Sequence, residues 1–233
     1  MRPAAPRTGT LADRIAAVRE RIAAAAPDPD RVRLVAVTKG FGVDVVRAAL
    51  EHGLVDLGEN YVQELVAKAT GIEPDVAAGA LPRPRWHAIG RLQRNKVRKA
   101  APHVTLWHSI DRPALGAEIA RWAPGAAVLV QVNTSGEQSK AGCPPSQAPE
   151  LVDQLVDLGL DVRGLMTMAP IGPPEVVRPA MRAARELRDR LGLSELSMGM
   201  TDDLEVALRE GATIVRVGRG LFGPRPDRDG ARH

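Results

Sequence analysis

The chain has 233 residues, of which 44% are hydrophobic, 26% charged and 3% aromatic, with a formal net charge of +4. That is ordinary globular composition and excludes a disordered polymer, and the single cysteine, Cys143, excludes an intrachain disulfide and a cysteine-rich metal site. No apolar run approaches the ~20 residues needed to span a bilayer, and a small positive surplus among interspersed acids does not argue for nucleic acid.

The first ten residues, MRPAAPRTGT, carry no apolar stretch behind their arginines, so no secretion signal is expected. With one thiol in the chain, a reducing cytoplasm is the expected compartment. A helix is predicted over 11–26. Short β-branched apolar runs then recur at 33–39, 55–59, 85–89, 106–110, 127–133, 162–168, 196–198 and 213–217. Several (LVAV, AVLVQV, TIVRV) are apolar at successive positions, as in parallel strands buried on both faces. Between them lie amphipathic stretches at 43–52, 93–101, 113–122, 148–158, 176–191 and 202–210. Leu151, Leu155 and Leu158 form an apolar stripe at helical spacing, and Gly53, Gly71, Gly159, Gly192 and Gly211 stand where helices end.

Eight strands alternating with helices predict an α/β fold, a single (β/α)₈ (TIM) barrel domain over 1–233 with an extra N-terminal helix. Residues 1–10 and 225–233 are expected to be flexible. The rival, an open doubly wound sheet, usually carries a Gly-rich turn after its first strand. Here that strand ends in Thr38-Lys39-Gly40-Phe41.

Barrel chemistry is built at the C-terminal strand ends. Lys39 follows Leu34-Val35-Ala36-Val37, where burial would lower its pKa and free the amine to condense with an aldehyde. A lysine snorkelling into solvent fits the same position. In Arg216-Val217-Gly218-Arg219-Gly220, two glycines after the last strand let backbone N–H groups close on an anion. Thr201, expected at the N-cap of the 202–210 helix, adds a hydroxyl to such a phosphate pocket, although capping alone also accounts for it. Arg83, Arg85, Arg91, Arg94, Lys96, Arg98 and Lys99 form a basic cluster that reads as a solvated face. His87 reads as a core histidine, and no metal is expected because no second ligand stands at suitable spacing.

Five ordered strings carry a resemblance. They are Ala36-Val37-Thr38-Lys39, Gly58-Glu59-Asn60-Tyr61-Val62-Gln63-Glu64, Trp86-His87-Ala88-Ile89-Gly90 with Leu92-Gln93-Arg94-Asn95-Lys96, Leu196-Ser197-Met198-Gly199-Met200-Thr201-Asp202-Asp203, and Val215-Arg216-Val217-Gly218 with Leu221-Phe222-Gly223. Together, over about residues 35 to 223, they resemble the pyridoxal 5′-phosphate (PLP) homeostasis proteins, the proline synthetase co-transcribed family.

The resemblance implies a fold-type III PLP barrel similar to the N-terminal domain of alanine racemase. Lys39 matches the family's Schiff-base lysine and Arg216 the arginine facing the pyridine nitrogen. Thr201 and the backbone of Gly218 and Arg219 match the phosphate cradle. Asn60 lies beside the ring, Ser197 and Met198 count among the cofactor contacts, and Lys140 matches a second lysine near the entrance. Two positions depart from the pattern: Arg219 stands where Ser or Thr is usual, and Arg91 where other residues are common.

The implied role is PLP supply, with PLP-dependent apo-enzymes as partners and no membrane or nucleic acid. No robust catalysis is expected, because an arginine at the ring nitrogen weakens the electron sink and the chain's one tyrosine, Tyr61, is expected to start a helix. The alternatives are a racemase-like PLP enzyme and a class I aldolase-like lysine enzyme. A monomer is the expected state.

Overall fold

The computed structural model describes residues 9–137 and 140–225. Apart from Gly9, Thr10 and Arg225, the terminal stretches expected to be flexible lie outside the described residues. Eight parallel strands close into a barrel in sequence order: β1 (Arg33–Val37), β2 (Asp56–Glu59), β3 (Arg85–Ala88), β4 (Val104–Ile110), β5 (Ala127–Gln131), β6 (Asp161–Met166), β7 (Glu195–Ser197) and β8 (Ile214–Val217). Closure is made by β1 against β8, with Ala36 level with Val217, while β1 also pairs with β2 through Ala36 and Leu57. Both faces of these strands are covered, which is why their sequences are apolar without alternation.

The strands are linked by α2 (Val43–Glu51), α3 (Val62–Ala77), α4 (Arg94–Ala100), α5 (Pro113–Trp122), α6 (Ala148–Asp157), α7 (Pro174–Arg190) and α8 (Leu204–Arg209), with α1 (Leu11–Ala25) before β1 and α9 (Arg219–Phe222) after β8. One large apolar cluster fills the layer between sheet and helices; a second, Val35, Leu106, Ala127, Leu129, Met166 and Ile214, forms a plug separate from it.

Three local expectations are corrected. Gly71 does not end a helix but sits inside α3. There a Cβ would come within 3.2 Å of Val43 Cγ2, so the glycine serves close packing. Leu158 does not complete the α6 stripe: Leu151 and Leu155 are buried, whereas Leu158 is the C-cap and 39% exposed. Thr201 is not the N-cap of α8, since Asp203 holds that position. The strands at 33–39, 127–133 and 162–168 also end two residues early, at Val37, Gln131 and Met166. One residue further on, Thr38, Val132 and Thr167 still donate to Gly58, Met166 and Ser197, and the chain then turns into the loops.

The extra helix has a definite task. Thr10 and Asp13 form a reciprocal capping box at its start, and the helix lies against α8 and α9. Arg14 Nε donates to the Leu221 carbonyl (2.5 Å), and Arg21 donates to Glu205 (2.6 and 3.0 Å) and to the Thr201 carbonyl (2.9 Å). The helix therefore braces both loops that follow β7 and β8.

Candidate functional site

Lys39 leaves the barrel at the end of β1 in a tight turn in which Phe41 N donates to the Thr38 carbonyl (3.1 Å). Gly40 has φ 78°, a left-handed conformation that glycine supplies at least cost. Its N–H donates to Glu64 Oε2 (2.8 Å). Below the turn lies a buried polar group. Glu59 Oε1 accepts from Thr38 Oγ1 and from Lys68 Nζ, each at 2.5 Å, and Lys68 also donates to the Thr38 carbonyl (2.7 Å). Glu59 Oε2 is buried without a hydrogen bond. Burial pushes the Glu59 carboxyl up despite these donors.

Lys39 itself is half-buried. Desolvation, followed by the charges of Arg225 and Arg216, holds its ammonium below the usual lysine range, against the pull of Glu59 and Glu64. Arg225 is one contributor that sequence reasoning missed, having assigned it to the flexible tail. A Cβ on Gly40 would come within 2.9 Å of its Cδ, so Arg225 crosses directly over the turn.

Arg216, on β8, is 5% exposed. Its NH1 donates to Ser197 Oγ (2.6 Å) and its NH2 to the Thr167 carbonyl (3.1 Å), so its hydrogen bonds go to a hydroxyl and a carbonyl rather than a carboxylate. Burial lowers its pKa to about 10, with Asp203 opposing; it remains a cation at neutral pH. After β8 the chain turns at Gly218 into α9. Thr201 Oγ1 accepts from Gly220 N (3.1 Å), tying the β7 loop to the β8 loop. Phe41 and Phe222 pack at 5.7 Å between ring centroids, which fastens the Lys39 turn to α9. Asn60 follows β2 and is half-buried. A Cβ on Gly90 would lie 2.2 Å from the Asn60 carbonyl oxygen, so only glycine permits this approach of the β2 and β3 ends.

The candidates therefore divide. Lys39 and Thr201 on loops, Arg216 in the last strand, Gly218 after it and Arg219 at the start of α9 lie at one end of the barrel, held together by the Phe41–Phe222 and Thr201–Gly220 contacts, with Asn60 after the neighbouring β2. Ser197 is fully buried and occupied by Arg216 and by His108 Nδ1 (2.9 Å). Met198 is fully buried among the residues packed outside the sheet. The Arg219 guanidinium, 62% exposed, pairs with Asp202. Lys140 Nζ bonds Glu137 (2.8 Å) and the Ala169 carbonyl (3.0 Å). Lys68 and Glu59 carried little sequence signal beyond the i, i+4 spacing of Glu64 and Lys68. His87 is a hydrogen-bonded core histidine, with Asp56 and His108 as partners. Among the described residues no group of three His, Cys, Asp or Glu could hold a metal ion, and no helix is long and apolar enough to cross a membrane.

The family model for the alanine racemase N-terminal domain matches residues 9–226. A pyridoxal phosphate homeostasis protein of Pseudomonas aeruginosa is 43% identical over 231 residues, covering 93% of this chain and 96% of that one. One of Deinococcus radiodurans is 44% identical over 214 residues, covering 89% and 97%. The structure of PipY from Synechococcus elongatus with PLP bound superposes with a TM-score of 0.79 at 34% identity, covering 92% of this chain and all of that one. With an eight-stranded parallel barrel, this degree of identity and matches along almost its whole length, the chain belongs to the pyridoxal phosphate homeostasis proteins, a family built on the alanine racemase N-terminal domain.

Proposed function

We propose that the chain binds PLP as a Schiff base on Lys39 and takes part in PLP homeostasis in the cytoplasm, holding the cofactor and passing it to apo-enzymes rather than catalysing a reaction. The observation that carries this reading is the Lys39 amine, whose half-burial first, and the charges of Arg225 and Arg216 beside it second, depress its proton affinity. A neutral amine at that place is the nucleophile that an aldehyde requires. PLP supplies the aldehyde and an electron-withdrawing ring.

The surrounding donors fit such a group. Arg216 is a buried cation with spare N–H groups and would face the ring nitrogen, keeping it unprotonated by charge repulsion. The N–H groups of Gly218 and Arg219, at the turn into α9, would hold the phosphate, since the first N–H groups of a helix lack intrahelical partners. Thr201 braces that turn through Gly220, and Asn60 would lie beside the ring. Ser197 and Met198 belong to the reading through Arg216 and through packing, respectively. Lys140, on the β5–α6 loop, would stand near the entrance. Arg219 would act through its backbone, its side chain being committed to Asp202.

Holding rather than transforming is favoured by two features. A ring nitrogen kept unprotonated is a weaker electron sink. Tyr61, the one tyrosine, stands at the N-cap of α3 and is 57% exposed. In the test, PLP is added to the purified protein and to Lys39→Ala, followed by absorbance. The wild type gains the band of a lysine adduct, and Lys39→Ala gains only the spectrum of free PLP. An unchanged band in the variant sinks the assignment. Steady interconversion of D- and L-alanine would favour the racemase-like alternative.

A further inference from the structure

Two histidines on neighbouring strands take no part in the reading above, yet both are buried, His87 at 1% and His108 at 0% exposure. They belong to a continuous run of hydrogen bonds. Arg85 donates Nε and NH2 to the two oxygens of Asp56 (2.8 and 2.5 Å). Asp56 Oδ1 lies 3.0 Å from His87 Nε2, and His87 Nδ1 lies 2.9 Å from His108 Nε2. His108 Nδ1 lies 2.9 Å from Ser197 Oγ, which accepts from Arg216 NH1 at 2.6 Å. The residues come from β2, β3, β4, β7 and β8. Since β4 and β7 are not neighbours in the barrel, the His108–Ser197 bond crosses its lumen.

An ionised carboxylate at one end and neutral rings between fix the direction of every link. A guanidinium only donates and an ionised carboxylate only accepts. Asp56 is ionised: burial opposes its charge, but the bonds from Arg85 and His87 win and bring it to about 2. His87 must therefore donate from Nε2, and as a neutral ring it accepts at Nδ1. His108 then donates from Nε2 and accepts at Nδ1. Ser197 gives its hydrogen to His108 and keeps its lone pair for Arg216. No other arrangement with both rings neutral satisfies all five contacts.

We propose that Asp56, His87 and His108 are positioning residues for Arg216, a one-way hydrogen-bond chain that fixes Ser197 as an acceptor and so holds the arginine fork in one orientation toward the cofactor ring. This rests on the PLP reading of the site. Among the described residues Arg216 has no carboxylate hydrogen-bonded to it directly, and the chain links it through two imidazoles to one at the other end of the barrel. There Asp56 and Arg85 line a cavity of about 590 Å³ together with Arg19, Arg31 and Arg33. The far terminus can therefore be altered without touching the mouth.

Two measurements test the chain. In long-range ¹H–¹⁵N spectra of the PLP-free wild type, His87 and His108 show neutral rings with the proton on Nε2 across about pH 6 to 8, the range in which a free histidine titrates. A proton on Nδ1 of either ring, or a charged ring, overturns the assignment. Asp56→Asn then removes the terminal charge, and His108→Gln removes the acceptor for Ser197. Folding of each is checked by circular dichroism, and PLP is titrated by absorbance. Loss of one charge-linked hydrogen bond weakens PLP about tenfold, equivalent to ~1.4 kcal/mol, and moves the pH midpoint of the Lys39 adduct band. Folded variants with wild-type affinity and midpoint overturn the positioning role alone. A wild-type protein that takes up no PLP overturns the cofactor reading and this role with it.

Discussion

Lys39 shows how one side chain acquires chemistry from its neighbours. Half-burial is the largest influence on its proton affinity, and Arg225 is the second. Arg225→Ala removes a nearby positive charge, so the Lys39 pKa rises and the neutral amine is scarcer at pH 7. The rate of adduct formation with PLP, followed against pH, is expected to shift its midpoint upward in that variant. An unmoved midpoint would mean that Arg225 is too well solvated to be felt. The opposite outcome is predicted for Arg219, whose guanidinium pairs with Asp202 at an exposed site. Exposed pairs contribute little, so Arg219→Ala keeps the PLP dissociation constant within about twofold in the same absorbance titration. The sequence marked Arg219 as a departure from its family; the direction of its side chain was decided by a neighbouring acid that spacing alone did not single out.

Among the elements, α1 and α9 work as a pair. Arg14 and Arg21 reach from α1 to the Leu221 and Thr201 carbonyls, and Thr201 in turn fixes Gly220. Thr201→Val keeps the shape and deletes the acceptor for a part-buried N–H, which costs about 1 kcal/mol. Its effect is expected in both the thermal midpoint and PLP affinity, because the same turn carries the proposed phosphate donors. Gly90→Ala tests the neighbouring β2–β3 corner. A Cβ 2.2 Å from the Asn60 oxygen forces the backbone to move, and calorimetry should show a loss of roughly 1–3 kcal/mol.

The kinds of element and their order were legible in the sequence, since parallel strands and amphipathic helices have distinct periodicities. Their ends were less so. The short α9 was hidden by Gly218 and Gly220, and Pro74 and Gly71 obscured the length of α3, which tertiary packing stabilises regardless. The role expected for Thr201 changed for a similar reason: a hydroxyl near a helix start can cap it or reach across to another loop, and only the folded geometry decides between them.

At the scale of the whole molecule, barrel closure creates what no segment contains. Asp56, His87, His108, Ser197 and Arg216 are spread over 161 positions, and their hydrogen-bond run has no signature in the sequence. Lys39 and the glycines after β8 were readable because their residue types are unusual where they stand. Burial keeps both histidines below their ordinary pKa, His108 strongly so. The folded state thus binds fewer protons than the unfolded chain as pH falls below the unfolded value of about 6.5. Stability from these groups is present above that value and is lost as pH falls through the window below it. Urea titrations at decreasing pH should show this loss, and His108→Gln should show less of it. A pH-independent midpoint between about pH 7 and 5 would contradict neutral buried rings.

Purified protein mixed with PLP, reduced with borohydride and mapped by peptide mass reveals which lysine condenses with the aldehyde. One stable pyridoxyl adduct is expected, on the peptide containing Lys39. An adduct confined to Lys68, Lys140 or other lysines, with Lys39 unmodified, would contradict it.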